Sequence, residues 1–287
     1  MNDSFNNFHI QLKDGRKLGY AEFGDPKGKP VFYFHGWPAS RLSGIETDTA
    51  AKKLGIRIIA PDRPGFGLSD FKKRRTLLDW PDDIVELADA LKITKFAVMG
   101  CSGGGPYATA CAYRLPARVT KAAIVVGLGP VNIPGNLDGI SLINRISWGN
   151  NKRFPIVGVL ASFGNFIGSK ISPALSRRIG FGAKEDRSMM TNEIKERMNR
   201  SLREAFQQGI RGPAWDWHIY CNDWGFDLKD ITVKTYLWYG AKDKNVSLNM
   251  GEYYHAQIPN SELHIDPHGG HLFRYKIEAK ILQKLIT

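Results

Sequence analysis

The chain has 287 residues, 43% of them hydrophobic, which is enough for one sizeable core and excludes a disordered or fibrous polypeptide. Lys and Arg outnumber Asp and Glu by 40 to 28, a net charge of +12, but the surplus is spread along the chain. Its one tight cluster, Lys72-Lys73-Arg74-Arg75, reads as a solvated loop, so no nucleic-acid partner is expected.

The first residues carry neither a basic start nor an apolar run, and no stretch reaches the roughly 18 uninterrupted apolar residues of a membrane span. A soluble, cytoplasmic protein without membrane association is therefore expected. Phe8 to Leu12 and Lys17 to Phe23 flank Asp14-Gly15, a dipeptide suited to a tight hairpin because glycine accepts positive φ at little cost. Val31 to Phe34 is a short apolar run of the kind buried on both faces of a sheet.

Apolar runs then alternate with helical patterns. Ile56 to Ala60, Phe96 to Met99, Ala122 to Val126, Thr235 to Tyr239 and Leu263 to Ile265 read as strands. Arg41 to Leu54, Pro81 to Leu91, Gly105 to Arg114, Leu248 to Gln257 and Leu272 to Leu285 read as helices. The alternation predicts an α/β fold: a mostly parallel eight-stranded sheet with helices on both faces, begun by an antiparallel hairpin.

About a hundred residues between the Val126 and Thr235 strands hold no strand pattern, too many for a loop in a compact domain. Ile140 to Trp148, Ile156 to Ile167 and Asn192 to Gln207 have helical patterns, the last with Ile194, Met198, Leu202 and Phe206 four residues apart. Residues 131–228 are thus predicted to be an inserted helical cap on a core of residues 1–130 and 229–287.

Gly100-Cys101-Ser102-Gly103-Gly104 ends one predicted strand and precedes a predicted helix. A serine on such a turn is held in a strained conformation that projects its hydroxyl, and small neighbours let strand and helix approach closely. The helix start favours negative charge developing at an attacked carbonyl, and Pro106 suits its first turn. A serine hydroxyl is a poor nucleophile at neutral pH, so it needs a base and a carboxylate to orient that base.

His271, in His268-Gly269-Gly270-His271 after the last strand, is the candidate base, with His268 the rival. Asp243, directly after the Thr235 strand, is the candidate acid, ahead of Asp266. In His35-Gly36-Trp37-Pro38, the Trp37 N–H can join that of Gly103 in an oxyanion hole, whereas Pro38 has no N–H to give. Cys101, Cys111 and Cys221 lack metal-type spacing and read as buried free thiols, so neither metal nor cofactor is expected.

These positions, with Asp62-Arg63-Pro64-Gly65-Phe66-Gly67-Leu68-Ser69-Asp70, resemble the α/β-hydrolase superfamily over nearly the whole chain. The order Ser, Asp, His is that of the superfamily. His35-Gly36-Trp37-Pro38 is similar to a motif of epoxide hydrolases and haloalkane dehalogenases, whose nucleophile is aspartate. Ser102 stands in that place here, which favours acyl chemistry.

The resemblance implies a carboxylesterase-like serine hydrolase that cleaves a small apolar ester through an acyl-Ser102 intermediate. Two alternatives use the same residues: a slow-turnover ligand receptor, and a carbon-carbon hydrolase or acyltransferase. Pocket walls are expected from His35, Gly36, Phe163, Phe166, Trp215 and Trp217, with Trp148, Phe154 and Trp224 as further apolar candidates.

Overall fold

The computed structural model describes residues 7–151, 156–171 and 183–287. Its strands are β1 (Phe8–Gln11), β2 (Lys17–Gly24), β3 (Lys29–Phe34), β4 (Ile56–Pro61), β5 (Phe96–Cys101), β6 (Val119–Val125), β7 (Thr235–Gly240) and β8 (Ser261–Asp266). The α-helices are α1 (Asp48–Leu54), α2 (Trp80–Ala90), α3 (Gly105–Arg114), α4 (Leu142–Asn151), α5 (Ile156–Ile171), α6 (Lys184–Met189), α7 (Asn192–Ala205), α8 (Arg211–Cys221), α9 (Leu248–Gln257) and α10 (Glu278–Ile286).

One sheet runs in the order β1-β2-β4-β3-β5-β6-β7-β8. The β1–β2 and β2–β4 pairs are antiparallel and the rest are parallel, as the alternation of elements predicts. Gly15 turns the opening hairpin with φ +87°.

Side chains alternate across the central strands. Phe32 and Phe34 pack with Trp80, Leu87 and Tyr107 on one face, while Val31 and Tyr33 share the other with Ala51, Ile281 and Leu285. Helices α2, α3 and α9 cover the first face, and α1 and α10 the second.

The chain steps from β3 to β4 on one side, then returns past β3 to lay β5 on its other side. Such a reversal opens a crevice at the carboxyl ends of the two strands. The loops after Phe34 and Cys101 therefore leave the sheet side by side.

Between β6 and β7 the described residues hold helices α4 to α8 and no strand. Helix α7 starts at Thr191, whose hydroxyl accepts the Ile194 N–H at 3.2 Å. Two helices here had no counterpart in the sequence pattern. Helix α6 is short and mostly polar; α8 buries residues around much of its circumference, Trp217, Ile219, Tyr220 and Cys221 among them, and so lacks an apolar stripe.

Two predicted helices begin differently. Arg41–Thr47 is a 3₁₀ segment ahead of α1, because the Arg41 N–H and guanidinium are both drawn to Asp62, at 2.7 and 2.8 Å. Phe273–Lys276 is a 3₁₀ turn ahead of α10, fixed by Leu272 donating to Asp186 and by the Arg274–Glu46 pair. No helix among the described residues is long and apolar enough to cross a membrane.

Candidate active site

The fully buried strand β5 delivers Ser102 at φ +51°, a left-handed conformation unusual for a residue with a side chain. What holds it is close packing behind the turn. A Cβ on Gly104 would overlap the Phe34 carbonyl oxygen, and one on Gly100 would stand 2.7 Å from the Gly104 carbonyl carbon. Pro106 occupies the first turn of α3. The Ser102 carbonyl accepts the Leu128 N–H at 3.0 Å and the Gly105 N–H, which fixes the peptide carrying the Gly103 N–H.

Asp243 follows β7 and His271 follows β8, and the structure joins them: His271 Nδ1 lies 2.7 Å from Asp243 Oδ2. The Asp243 side chain is fully buried, and its other oxygen accepts the N–H groups of Asn245 at 2.7 Å and Val246 at 3.1 Å. A carboxylate held this way only accepts, so Nδ1 carries the imidazole proton and Nε2 is left basic. His268 is exposed, and its N–H is tied to Asp266 at 2.9 Å, which makes both rivals parts of a surface turn.

Sequence reasoning missed a third carboxylate. Asp186, on α6, accepts the Leu272 N–H at 2.8 Å, and a Cβ on Gly270 would collide with its carboxylate. Its second oxygen is buried with no hydrogen-bond partner among the described residues, and burial raises its pKa above the ordinary carboxylate value. In the sequence, Lys184-Glu185-Asp186-Arg187 looks like a solvated helix face and offers no signal.

Ser102 and His271 open into one cavity of about 500 Å³, whose wall also includes Gly36, Trp37, Gly103 and Leu128. A Cβ on Gly36 would lie 3.3 Å from that of Ser102, and one on Gly103 would lie 3.1 Å from the Trp37 nitrogen. The two backbone segments thus face each other across the serine. Among the described residues neither the Trp37 nor the Gly103 N–H donates to a protein acceptor.

Trp217 forms part of the wall, edge-on to Trp37 at 4.6 Å between centroids and stacked on Trp148 at 3.9 Å. Of the six residues expected first for the pocket, Gly36 and Trp217 line the cavity, as does Trp148 from the further apolar candidates. The other four lie elsewhere.

His35 is fully buried beneath the loop, where Nδ1–H donates to the Gly36 carbonyl at 2.9 Å and Nε2 accepts the Arg63 N–H at 3.3 Å. Phe163 faces outward on α5 and is 51% exposed. Phe166 packs on Phe206 at 6.1 Å, and Trp215 donates its indole N–H to the Arg75 carbonyl at 2.8 Å. Trp224 sits in the main core, and Phe154 lies outside the described residues. The helices carrying Phe163, Phe166 and Trp215 wind these side chains away from the crevice, a rotation that apolar spacing does not specify. Cys101, Cys111 and Cys221 are buried and form no disulfide among the described residues.

A family model described as the alpha/beta hydrolase fold matches residues 29–275. The non-heme chloroperoxidase of Streptomyces lividans is 34% identical over 137 residues, 46% of this chain and half of that protein. The 2-hydroxy-6-oxo-6-phenylhexa-2,4-dienoate hydrolase of Burkholderia cepacia is 28% identical over 282 residues, covering 92% of this chain and 85% of the relative. Among solved structures, the esterase from Exiguobacterium antarcticum superimposes with a TM-score of 0.71 over 98% of this chain and all of that one, at 22% identity. With the sheet order, the sharp strand-to-helix elbow at Ser102 and a family match over most of its length, the chain belongs to the α/β hydrolase fold family.

Proposed function

We propose that the protein hydrolyses small apolar carboxylic esters through an acyl-Ser102 intermediate. The observation that carries this reading is the convergence of a left-handed Ser102 and an Asp243-paired His271 on one cavity. His271 Nε2 takes the Ser102 proton as Oγ attacks the ester carbonyl, and the Trp37 and Gly103 N–H groups receive the oxyanion. Asp243 keeps the proton on Nδ1 and balances the imidazolium.

Collapse of the tetrahedral intermediate expels the alcohol, protonated by His271. A water activated by the same nitrogen then attacks the acyl-enzyme, and a second collapse frees Ser102 and the acid. Residues 131–228 act as a cap whose Trp148 and Trp217 give the cavity an apolar wall. Its volume lies within the range of small-molecule sites.

A second reading has a specific support. The near full-length relatives include hydrolases of 2-hydroxy-6-oxo-dienoates, molecules without an ester, in which hydrolysis breaks a carbon-carbon bond. The same serine, base and oxyanion donors suit that cleavage.

One experiment tests both. The protein is given a p-nitrophenyl ester series, a 2-hydroxy-6-oxo-dienoate and a fluorophosphonate label, alongside Ser102→Ala. Ester turnover with labelling lost in the variant is expected. Preference for the dienoate shifts the function to the second reading, and labelling that survives in Ser102→Ala removes Ser102 from either.

A further inference from the structure

Behind the loop that carries Trp37 lies a buried ionic network that the acyl-transfer steps leave unused. Arg63, two residues beyond β4, is fully buried, with its guanidinium carbon 4.9 Å from the Phe66 ring centroid and 4.8 Å from that of Tyr107. Nε donates to Asp216 Oδ2 at 2.6 Å, Nη2 to the Gly36 carbonyl at 3.0 Å, and Nη1 to the His35 carbonyl. Two aromatic rings against it and three hydrogen-bonded acceptors leave this guanidinium one orientation.

Asp216, from α8, also accepts from Arg75 and from the Tyr107 hydroxyl at 2.6 Å. Burial pushes its carboxyl up, but the two guanidiniums and Tyr107 outweigh that and hold it at about 2. His35 adds no charge, because burial and then the Arg63 guanidinium push its imidazole well below the ordinary value. Two arginines against one carboxylate leave a positive surplus directly behind the oxyanion loop.

The Gly36 carbonyl and the Trp37 N–H are two ends of one planar peptide unit. A cation hydrogen-bonded to the carbonyl oxygen fixes that plane and draws electron density from the nitrogen, so the N–H becomes a stronger donor. On the Gly103 side the corresponding carbonyl, that of Ser102, receives only neutral N–H groups. The two donors thus have unequal support.

We propose that Arg63 is a positioning residue for the reaction, which aims and polarises the Trp37 N–H through the Gly36 carbonyl while Asp216 secures the guanidinium from the helical segment. This rests on the oxyanion role proposed above for Trp37. It gives α8 a part in the chemistry besides shaping the cavity. The same helix reaches the elbow through the Tyr220 hydroxyl, 2.8 Å from the Gly103 carbonyl oxygen and 3.0 Å from Asp216 Oδ2.

Arg63→Gln removes the charge, and Arg63→Lys keeps it on a group that cannot span both carbonyls and Asp216. Loss of a whole oxyanion donor costs about a hundredfold to a thousandfold, so Arg63→Gln should lower kcat on a p-nitrophenyl ester by about tenfold to a hundredfold with KM nearly unchanged. Arg63→Lys should recover part of that loss. The Trp37 amide proton, followed by NMR in 15N-labelled protein, should move upfield in both variants, further in Arg63→Gln.

An unchanged kcat, a loss confined to KM, or an unmoved Trp37 amide overturns the proposal. Should Arg63→Gln fail to fold, Arg63→Lys carries the same two readouts. If the wild-type protein takes no fluorophosphonate label and turns over no ester, the acyl-serine reading fails, and the Trp37 amide shift still decides the Arg63 contact.

Discussion

The site has two halves built on different principles. Ser102, Asp243, His271 and the Trp37 loop hang from the ends of strands β5, β7, β8 and β3, whose register is fixed by backbone pairing within one sheet. Trp148, Trp217, Tyr220 and Asp186 come from the helices between β6 and β7, which are held by side-chain packing and by ionic contacts such as Asp216–Arg63. A sheet places residues by backbone hydrogen bonds that any sequence can make. A helical segment places them by rotation and tilt, which depend on every neighbour.

Several measurements can break or sharpen that contrast. The sheet half should carry the chemistry: Ser102→Ala is expected to lower kcat on a p-nitrophenyl ester by about 10⁵-fold to 10⁶-fold and to abolish fluorophosphonate labelling. Asp243→Asn leaves the geometry but permits the wrong imidazole tautomer, and steady-state kinetics should show a loss of about 10⁴-fold in kcat.

The helical half should govern selection instead. Trp217→Ala is expected to shift acyl-chain preference across an ester series by about tenfold to a hundredfold in kcat/KM, the range set by loss of apolar contacts in a pocket. The outward-facing Phe163→Ala should leave the series unchanged. Equal effects from the two variants would erase the distinction between wall and surface.

Asp186 belongs to the helical half yet touches the loop of the sheet half. Its folded pKa is raised by burial, so its ionised form is penalised in the folded protein, and stability falls as pH climbs from the ordinary carboxylate value to that raised value and stays lower above it. Asp186→Asn keeps the oxygen that accepts the Leu272 N–H and loses the charge. Urea denaturation should find it more stable than wild type at pH 7, with the advantage gone below the ordinary carboxylate value of 3.8. The smallest effect is expected from Ser102→Gly, which relieves the left-handed backbone and should raise stability by about 1 kcal/mol in thermal or urea unfolding.

The same contrast explains what was legible in the sequence. Strands β3, β5 and β7 appear as short apolar runs because both faces of the sheet are covered, and the proposed catalytic residues sit one to three residues past each. Glycines mark the places where backbones touch, so Gly100, Gly104 and Gly269-Gly270 pointed to the elbow and the histidine loop. The helical segment gave its presence and three of its helices.

It did not give α8, whose buried residues spread around the axis, or which aromatic rings face the cavity. Phe163 and Trp217 are both apolar residues on helices of one segment, and only packing in three dimensions separates them. Asp216 and Asp186 were invisible for a related reason: each is a charge surrounded in sequence by ordinary helix residues, and its partners lie far along the chain.

The conformation of Ser102 has a consequence for how this position endures. With φ +51° enforced by the packing around Gly100 and Gly104, the backbone there suits a residue without a side chain. Left to folding alone, position 102 would drift to glycine and the chain would be the steadier for it. The hydroxyl stands at this position against the preference of its own scaffold, as a nucleophile there would have to.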